Sequence, residues 1–204
     1  MKYTNILKIL FSLISIFILT ACKTTNDNID QSVEASTLEN HISNVDENSK
    51  ILVVYFSQTG TTEKIALHIA NTLDTDIFEI VPKIPYTQDD LNYNISSTRA
   101  TREQNNPPAR PEILNEIDNL DNYDTIILGY PIWHGQTPKI VYTFLETYDF
   151  SDKTIFPFCT SHSSGVGSSA SNLKNIVSSL TKWSEAKRFA NQPSLKTIVE
   201  WLNS

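Results

Sequence analysis

A glycine flanked by hydroxyl side chains forms the first segment that could do chemistry, Ser57-Gln58-Thr59-Gly60-Thr61-Thr62. It follows an apolar run and precedes a helical pattern, so its backbone N–H groups would lie at the positive end of a helix dipole. Gly60 allows close approach of the backbone to a ligand, and neutral donors of this kind can hold a phosphate dianion. A plain helix cap rich in Ser and Thr is the alternative.

Two later segments carry aromatic, imidazole and hydroxyl groups. Gly129-Tyr-Pro-Ile-Trp-His-Gly135 places Trp133 where it could stack on a planar ring. Thr160-Ser-His-Ser-Ser-Gly-Val-Gly167 offers two glycines and five hydroxyl or imidazole groups that could present donors to the edge of a heterocycle. Taken alone, Trp133 is more typical of a core or surface aromatic, and the later segment is typical of a generic flexible turn.

The elements around these segments alternate between strand and helix. The nearly continuous apolar run Lys50–Phe56 predicts a strand buried on both faces, and Asp76–Val81 predicts an edge strand. Two further strands are predicted at Asp124–Tyr130 and Thr154–Cys159. Helices are predicted at Thr61–Leu73, from Thr137-Pro138, around Leu173–Leu180 and over Leu195–Leu202. A weak strand is predicted near Glu185–Ala190. This order predicts a doubly wound parallel α/β sheet with helices on both faces, in which the three segments meet at the carboxyl ends of the strands.

Other phosphate-binding and metal-binding classes do not fit. The chain lacks a Gly-x-x-x-x-Gly-Lys P-loop, and the first segment is not a Gly-x-Gly-x-x-Gly motif. No acidic residue lies within Ile51–Thr61 to hold the metal of a response-regulator receiver. The proline-rich stretch 82–123 gives the weakest secondary-structure pattern of the domain, and only a short helix at Glu112–Leu120 is predicted there.

The three segments together resemble flavodoxins, specifically a bacterial flavodoxin-like group with a Tyr-Pro-Ile-Trp second loop. The resemblance rests on Tyr55–Thr62, Leu128–Trp133, the Pro138–Glu146 helix, Ala109–Glu112, and Pro157–Ser161 with Ser164–Gly167. It implies a five-stranded sheet of order 2-1-3-4-5 that binds FMN, with the phosphate at the first loop and the ring between the other two. The residues so assigned to the cofactor are Ser57, Gln58, Thr59, Gly60, Thr61 and Thr62, then Pro131, Ile132, Trp133, His134 and Gly135, then Thr160, Ser161, His162, Ser163, Ser164, Gly165 and Gly167.

Two residues depart from the group's pattern. His134 and His162 stand where Trp and Gly are expected, and an imidazolium near the ring would favour the anionic reduced flavin. Solvated loop histidines are the alternative. Cys159 is predicted to be a buried core thiol. Arg99, Arg102 and Arg110 could meet an anionic substrate, but a solvated loop is the simpler interpretation.

The amino terminus predicts export and anchoring. Residues 1–21 combine Lys2 and Lys8 with a short apolar run, which is typical of a signal peptide, and Leu19-Thr20-Ala21-Cys22 resembles the bacterial lipobox. This resemblance implies cleavage before Cys22 and lipidation of its thiol. Residues 22–49 are polar and predict a flexible tether, which leaves 50–204 as one FMN-binding domain.

The charge balance narrows the partners. Removing Lys2 and Lys8 leaves 14 basic against 23 acidic residues, a net charge of −9. Such a domain is a poor ligand for nucleic acid or anionic lipid, so contact with the membrane is predicted through the lipid anchor alone. The partner is predicted to be a redox protein or a small-molecule electron acceptor.

Three functions follow from the sequence. The preferred one is an FMN-binding redox protein that transfers electrons at the outer face of the cytoplasmic membrane. The alternatives are an FMN-dependent NAD(P)H:quinone-type reductase and a tethered non-redox module that retains the fold. The sequence leaves open whether the protein is an enzyme, although an electron carrier is favoured.

Overall fold

The computed structural model describes residues 49–204. The predicted signal peptide, Cys22 and the tether up to residue 48 lie outside the described residues, so the predicted domain limits stay predictions. Within 49–204, no helix is both long and apolar enough to span a bilayer. The same residues contain no group of three side chains suited to hold a metal ion.

Every strand pairing in the sheet is parallel. The strands are β1 (Ile51–Tyr55), β2 (Asp76–Glu79), β3 (Thr125–Pro131), β4 (Thr154–Thr160), β5 (Lys182–Trp183) and β6 (Lys187–Arg188). Their order is β2-β1-β3-β4-β5, and β6 also pairs with β4. The predicted order 2-1-3-4-5 is therefore confirmed, with the fifth position shared by two short strands.

Residues 49–204 form five α-helices: α1 (Thr61–Leu73), α2 (Arg99–Gln104), α3 (Lys139–Thr147), α4 (Ser169–Lys174) and α5 (Leu195–Leu202). The first four lie between strands, and α5 follows the last strand. The sheet has a core on each face because strand side chains alternate. On β1, Leu52 and Val54 belong to one cluster, whereas Val53 and Tyr55 pack with α1 and α5 in the other. The side chains of β1 in both clusters are buried, which confirms the prediction that this strand is buried on both faces.

The stretch 82–123 departs from the prediction of a helix at Glu112–Leu120. The structure instead brings 112–114 alongside 81–83, through Lys83 N donating to Glu112 O and Leu114 N donating to Val81 O. The Asn115 amide strengthens this pairing by bonding Val81 N and Glu79 O. Tertiary pairing thus satisfies backbone groups that a helix would have used. The α-helix in this stretch is α2, whose N-cap Thr98 accepts from Thr101 N, and single 3-10 turns lie at Asp89–Leu91 and Leu120–Asn122.

Three other boundaries differ from the prediction. Helix α3 begins after Pro138 without a side-chain cap, because the Thr137 hydroxyl donates to Ser169 O at 3.3 Å. Helix α4 ends at Lys174, and Leu180, expected on its apolar stripe, is 62% exposed. The last strand position begins at Lys182, earlier than the predicted Glu185.

Candidate functional site

The loop between β1 and α1 presents an open helix terminus. Gly60 is the N-cap of α1 with φ 77°, and no side chain caps the helix. The first-turn N–H groups are therefore left without the partner that a capping side chain would supply. Thr59 and Thr61 are exposed beside them, with their hydroxyl oxygens 3.5 Å apart. This arrangement fits an anion bound by neutral donors.

Not every predicted hydroxyl points outward. The Thr62 side chain is 1% exposed, and its hydroxyl lies 2.8 Å from the hydroxyl of Thr160, which is also buried. These two residues join the first loop to the third, so only the Thr62 N–H remains available to a ligand. Ser57 is 8% exposed, and its carbonyl accepts from the Gln58 amide at 3.3 Å.

Acidic groups lie close to the first loop. Glu63 is in the first turn of α1, within 3.6 Å of the position that a Cβ on Gly60 would take. Burial and then the charge of Glu63 raise the pKa of Glu79, and burial with Glu79 raises the pKa of Tyr55 to about 12. A bound phosphate would add negative charge beside Glu63. The backbone donors must outweigh that repulsion.

The second loop is a two-residue turn that fixes Trp133. Trp133 N donates to Gln136 O and Gln136 N donates to Trp133 O, both at 2.9 Å. The central residues His134 and Gly135 have φ 49° and 74°, the left-handed pair of a type I′ turn. The Trp133 ring meets Phe56 and Tyr86 edge-on, at 5.4 and 5.1 Å between centroids. The half-buried indole is therefore held by two aromatic neighbours whose ring planes are steeply inclined to its own.

Helix α2 holds this turn from outside. Gln104 Nε2 donates to Trp133 O at 3.0 Å and to Thr137 O at 3.2 Å. His134 Nε2 lies 3.1 Å from the Thr101 hydroxyl oxygen. Within the stretch 82–123, α2 therefore supports the loop that carries Trp133.

The third loop is joined to the second and to β6. Ile132 N donates to Thr160 O at 2.9 Å across β3 and β4. Arg188 of β6 donates to Ser161 Oγ and Ser161 O at 2.9 and 3.0 Å, and to His162 O at 3.3 Å. Gly165 and Gly167 complete the loop, and Gly167 approaches the carbonyl of Gly135.

A cavity of about 390 Å³ lies between the second and third loops. Its volume falls in the range of small-molecule pockets. The cavity is lined by Ile132, Trp133, His134, Gly135, Ser161, His162, Ser163 and Ser164, together with Leu91, Tyr93 and Ala100. Pro131, Thr160, Gly165 and Gly167, which were also predicted, do not line it. The predicted ring loops therefore enclose one space.

Six contributing residues were missed by the sequence: Leu91, Tyr93, Ala100, Thr101, Gln104 and Arg188. Five of them lie in the stretch 82–123, whose mixed polar composition gives no periodic pattern of apolar residues. Arg188 lies in the strand that was only weakly predicted. Its contact with the third loop follows from the pairing of β6 with β4, in which Arg188 is opposite Cys159.

A larger groove of about 470 Å³ lies at the opposite edge of the sheet. Its lining includes Ser49, Ile51, Asp76 and Tyr123, which stand at or before the amino ends of strands. Ligands of open α/β sheets bind at the carboxyl edge, so the smaller cavity is the candidate site.

The remaining singled-out residues have structural contacts. Arg99 pairs with Glu103 at 2.7 Å and covers the Tyr86 ring, Arg110 pairs with Glu146 at 2.6 Å, and Arg102 donates to Ser97 O. Cys159 is fully buried, which confirms that prediction, and burial raises the pKa of its thiol to about 11.

The residues present fit FMN. The uncapped terminus of α1 suits its phosphate, and the cavity beside Trp133 suits a planar aromatic ring. The Thr62–Thr160 contact places these two parts in adjoining loops.

The parallel order β2-β1-β3-β4-β5, with a glycine-led helix terminus and an aromatic loop at its carboxyl edge, defines a flavodoxin-like α/β protein. The model of the flavodoxin family matches residues 50–204, and the chain belongs to that family. No curated protein matches the chain.

Solved structures agree with this membership. A protein of Bacteroides eggerthii assigned as a flavoprotein is 40% identical, with 76% of this chain and 97% of that chain covered and a TM-score of 0.72. One of Bacteroides uniformis is 35% identical over 76% and 99% of the two chains, with a TM-score of 0.69. A flavoprotein of Lactobacillus acidophilus, solved in complex with FMN, is 25% identical over 69% and 93%, with a TM-score of 0.56.

Proposed function

We propose that this flavodoxin-family protein uses FMN to transfer electrons at the outer face of the cytoplasmic membrane, where a lipid on Cys22 anchors it. The redox part of this proposal rests on the cavity between the second and third loops, beside the open terminus of α1. FMN is the cofactor, in keeping with the family and with the complex of the Lactobacillus relative. When bound, FMN supplies the electron transfer, and the protein sets its potential and access.

The chain's own residues do three things in this function. The N–H groups of Thr61 and Thr62 and the hydroxyl of Thr59 hold the phosphate. Trp133, braced by Gln104, orients the ring and excludes water from one side. The His162 loop presents polar groups to the ring's edge.

Anchoring and export rest on the sequence of residues 1–22. Expression in a bacterial host with a labelled fatty acid tests them, with Cys22→Ser as the control. We expect label and membrane association in the parent and neither in the variant. Label that persists in the variant, or a parent that remains in the cytoplasm, would reject the anchor.

A small-molecule reductase is the second candidate, and one observation favours it. Leu91, Tyr93 and Ala100 line the cavity from outside the two predicted loops, which leaves an apolar wall for a small planar acceptor. A tethered module without redox activity is the third.

Anaerobic reduction separates the three functions. The purified protein is loaded with FMN, reduced with dithionite, and mixed with either a basic redox protein or a soluble quinone. Faster reoxidation by the protein acceptor supports the carrier, and saturable turnover of the quinone with NAD(P)H supports the reductase. A visible spectrum unchanged by the protein when FMN is added would contradict both.

A further inference from the structure

Arg188 makes a forked contact with the third loop from the neighbouring strand β6. Its Nε donates to Ser161 Oγ at 2.9 Å, and one Nη donates to Ser161 O at 3.0 Å and His162 O at 3.3 Å. A guanidinium offers this planar set of donors, whereas the ammonium of lysine cannot match its geometry. The side chain therefore fixes both the backbone and the hydroxyl at the start of the loop.

Ser161 connects the Arg188 contact to the rest of the third loop. The Ser161 hydroxyl accepts from Arg188 and donates to Ser164 O, which closes the turn over residues 161–164. All four residues of this turn line the cavity. Arg188 thus sets the shape of one wall of the site without lining the cavity itself.

Arg188 has no ion-pair partner among the described residues. None of the ion pairs formed within residues 49–204 includes it, whereas Arg99 and Arg110 each pair with a glutamate. Its charge reaches the end of β4, where it lowers the pKa of Cys159 against the larger effect of burial. In a protein of net negative charge, a half-buried unpaired cation beside the site is screened less than a surface charge.

We propose that Arg188 is a positioning residue for the FMN site and that its charge raises the potential of the bound flavin. This inference rests on the proposed function. Reduction of a flavin ring by two electrons and one proton, here supplied by dithionite and water, adds one negative charge to the ring. A fixed positive charge behind the Ser161–His162 turn stabilises that added charge and does little for the neutral oxidised ring.

Three variants of the purified protein separate charge from geometry. Arg188→Met removes the charge and the fork, Arg188→Lys keeps the charge and loses the fork, and Lys187→Met removes the exposed charge of the preceding residue of β6. Because strand side chains alternate, Lys187 faces the other side of the sheet. The measurements are the affinity for oxidised FMN, the midpoint potential of the bound FMN, and the melting temperature of the apoprotein.

We expect Arg188→Met to weaken reduced FMN about tenfold more than oxidised FMN, a fall of about 30 mV for a two-electron couple. Arg188→Lys should keep most of the parent's potential while oxidised FMN binds severalfold more weakly, and Lys187→Met should match the parent. A purely structural role predicts equal losses for both redox forms and an unchanged potential, which would overturn the proposal. A parent that binds no FMN would overturn the proposed function as well, whereas a binding parent with an unshifted Arg188→Met overturns only this inference.

Discussion

Thr59 stands at the exposed rim of the open α1 terminus, where a negative side chain would occupy the anion site. Thr59→Asp should abolish most FMN binding, because the carboxylate takes the backbone donors and repels the phosphate. A hydrogen bond to a charged group contributes about 1.5–3 kcal/mol, so the affinity should fall at least tenfold. The measurement is quenching of flavin fluorescence.

Riboflavin is the control for Thr59→Asp because it has the ring and no phosphate. Its affinity should be the same in the parent and the variant, and the melting temperature should not change. Equal FMN affinity in the two proteins would mean that the terminus is an ordinary helix start.

Trp133 is half-buried against Phe56 and Tyr86, so it contributes to both the fold and the site. Trp133→Leu should weaken oxidised FMN severalfold, since stacking contributes about 0.5–1.5 kcal/mol. It should also raise the midpoint potential, because the aromatic face favours the neutral oxidised ring over the electron-rich reduced one. Trp201→Leu is the matched control, since Trp201 is 3% exposed in the opposite core. It should lower the melting temperature without moving the potential, and the same pattern in Trp133→Leu would place the ring elsewhere.

Cys159 gives a pH dependence of stability with a defined sign. Burial raises the pKa of its thiol to about 11, above the roughly 8.5 of an exposed thiol. Between these values the unfolded chain releases a proton that the folded chain keeps, so stability is intact below the lower value and declines toward pH 11. Urea unfolding at pH 8 and pH 10.5 should show a larger loss for the parent than for Cys159→Ala. Equal losses would mean that the thiol is not held protonated.

At the scale of elements, Gly129 of β3 leaves the space that the Phe158 ring of β4 occupies. A Cβ at this position would lie 2.2 Å from the Phe158 ring, which is buried in the core cluster that includes α1 and α5. Gly129→Ala should therefore cost about 1–3 kcal/mol through overpacking. Gly165→Ala is the control, because no heavy atom lies within 4 Å of its Cβ position. Thermal melts that show equal stability for the two variants would contradict this packing.

The elements also show what sequence reasoning can reach. Helix α1 was predicted at its observed bounds and the central strands within a residue or two, because each has a strong period or a continuous apolar run. The stretch 82–123 could not be predicted. Its order comes from distant contacts, such as Leu114 with Val81 and Gln104 with the Trp133 carbonyl, that leave no periodic pattern.

The candidate site divides in the same way. Sequence patterns identified the loops, since a glycine after a buried strand and an aromatic after the next are local features. These sequence patterns could not predict the orientation of each side chain. The Thr62 hydroxyl faces Thr160 instead of a ligand, and Arg188 reaches Ser161 because β6 pairs beside the end of β4.

At the scale of the whole molecule, an acidic flavodoxin domain follows an amino-terminal sequence that predicts export. No twin-arginine pair precedes the apolar run, so the chain is expected to cross the membrane unfolded and to bind FMN outside the cytoplasm. We propose that the apoprotein then folds with its site already formed. The contacts that brace the loops within the described residues, from Gln104, Thr62 and Arg188, support this proposal.

Parallel titrations of the apoprotein with FMN and with riboflavin test the central claim most directly. Both ligands share the ring, so the ratio of their affinities isolates the phosphate at the α1 terminus. FMN should bind at least tenfold more tightly than riboflavin, as expected for charged hydrogen bonds to several donors. Equal affinities would contradict the phosphate assignment, and the absence of binding by either ligand would contradict the FMN site as a whole.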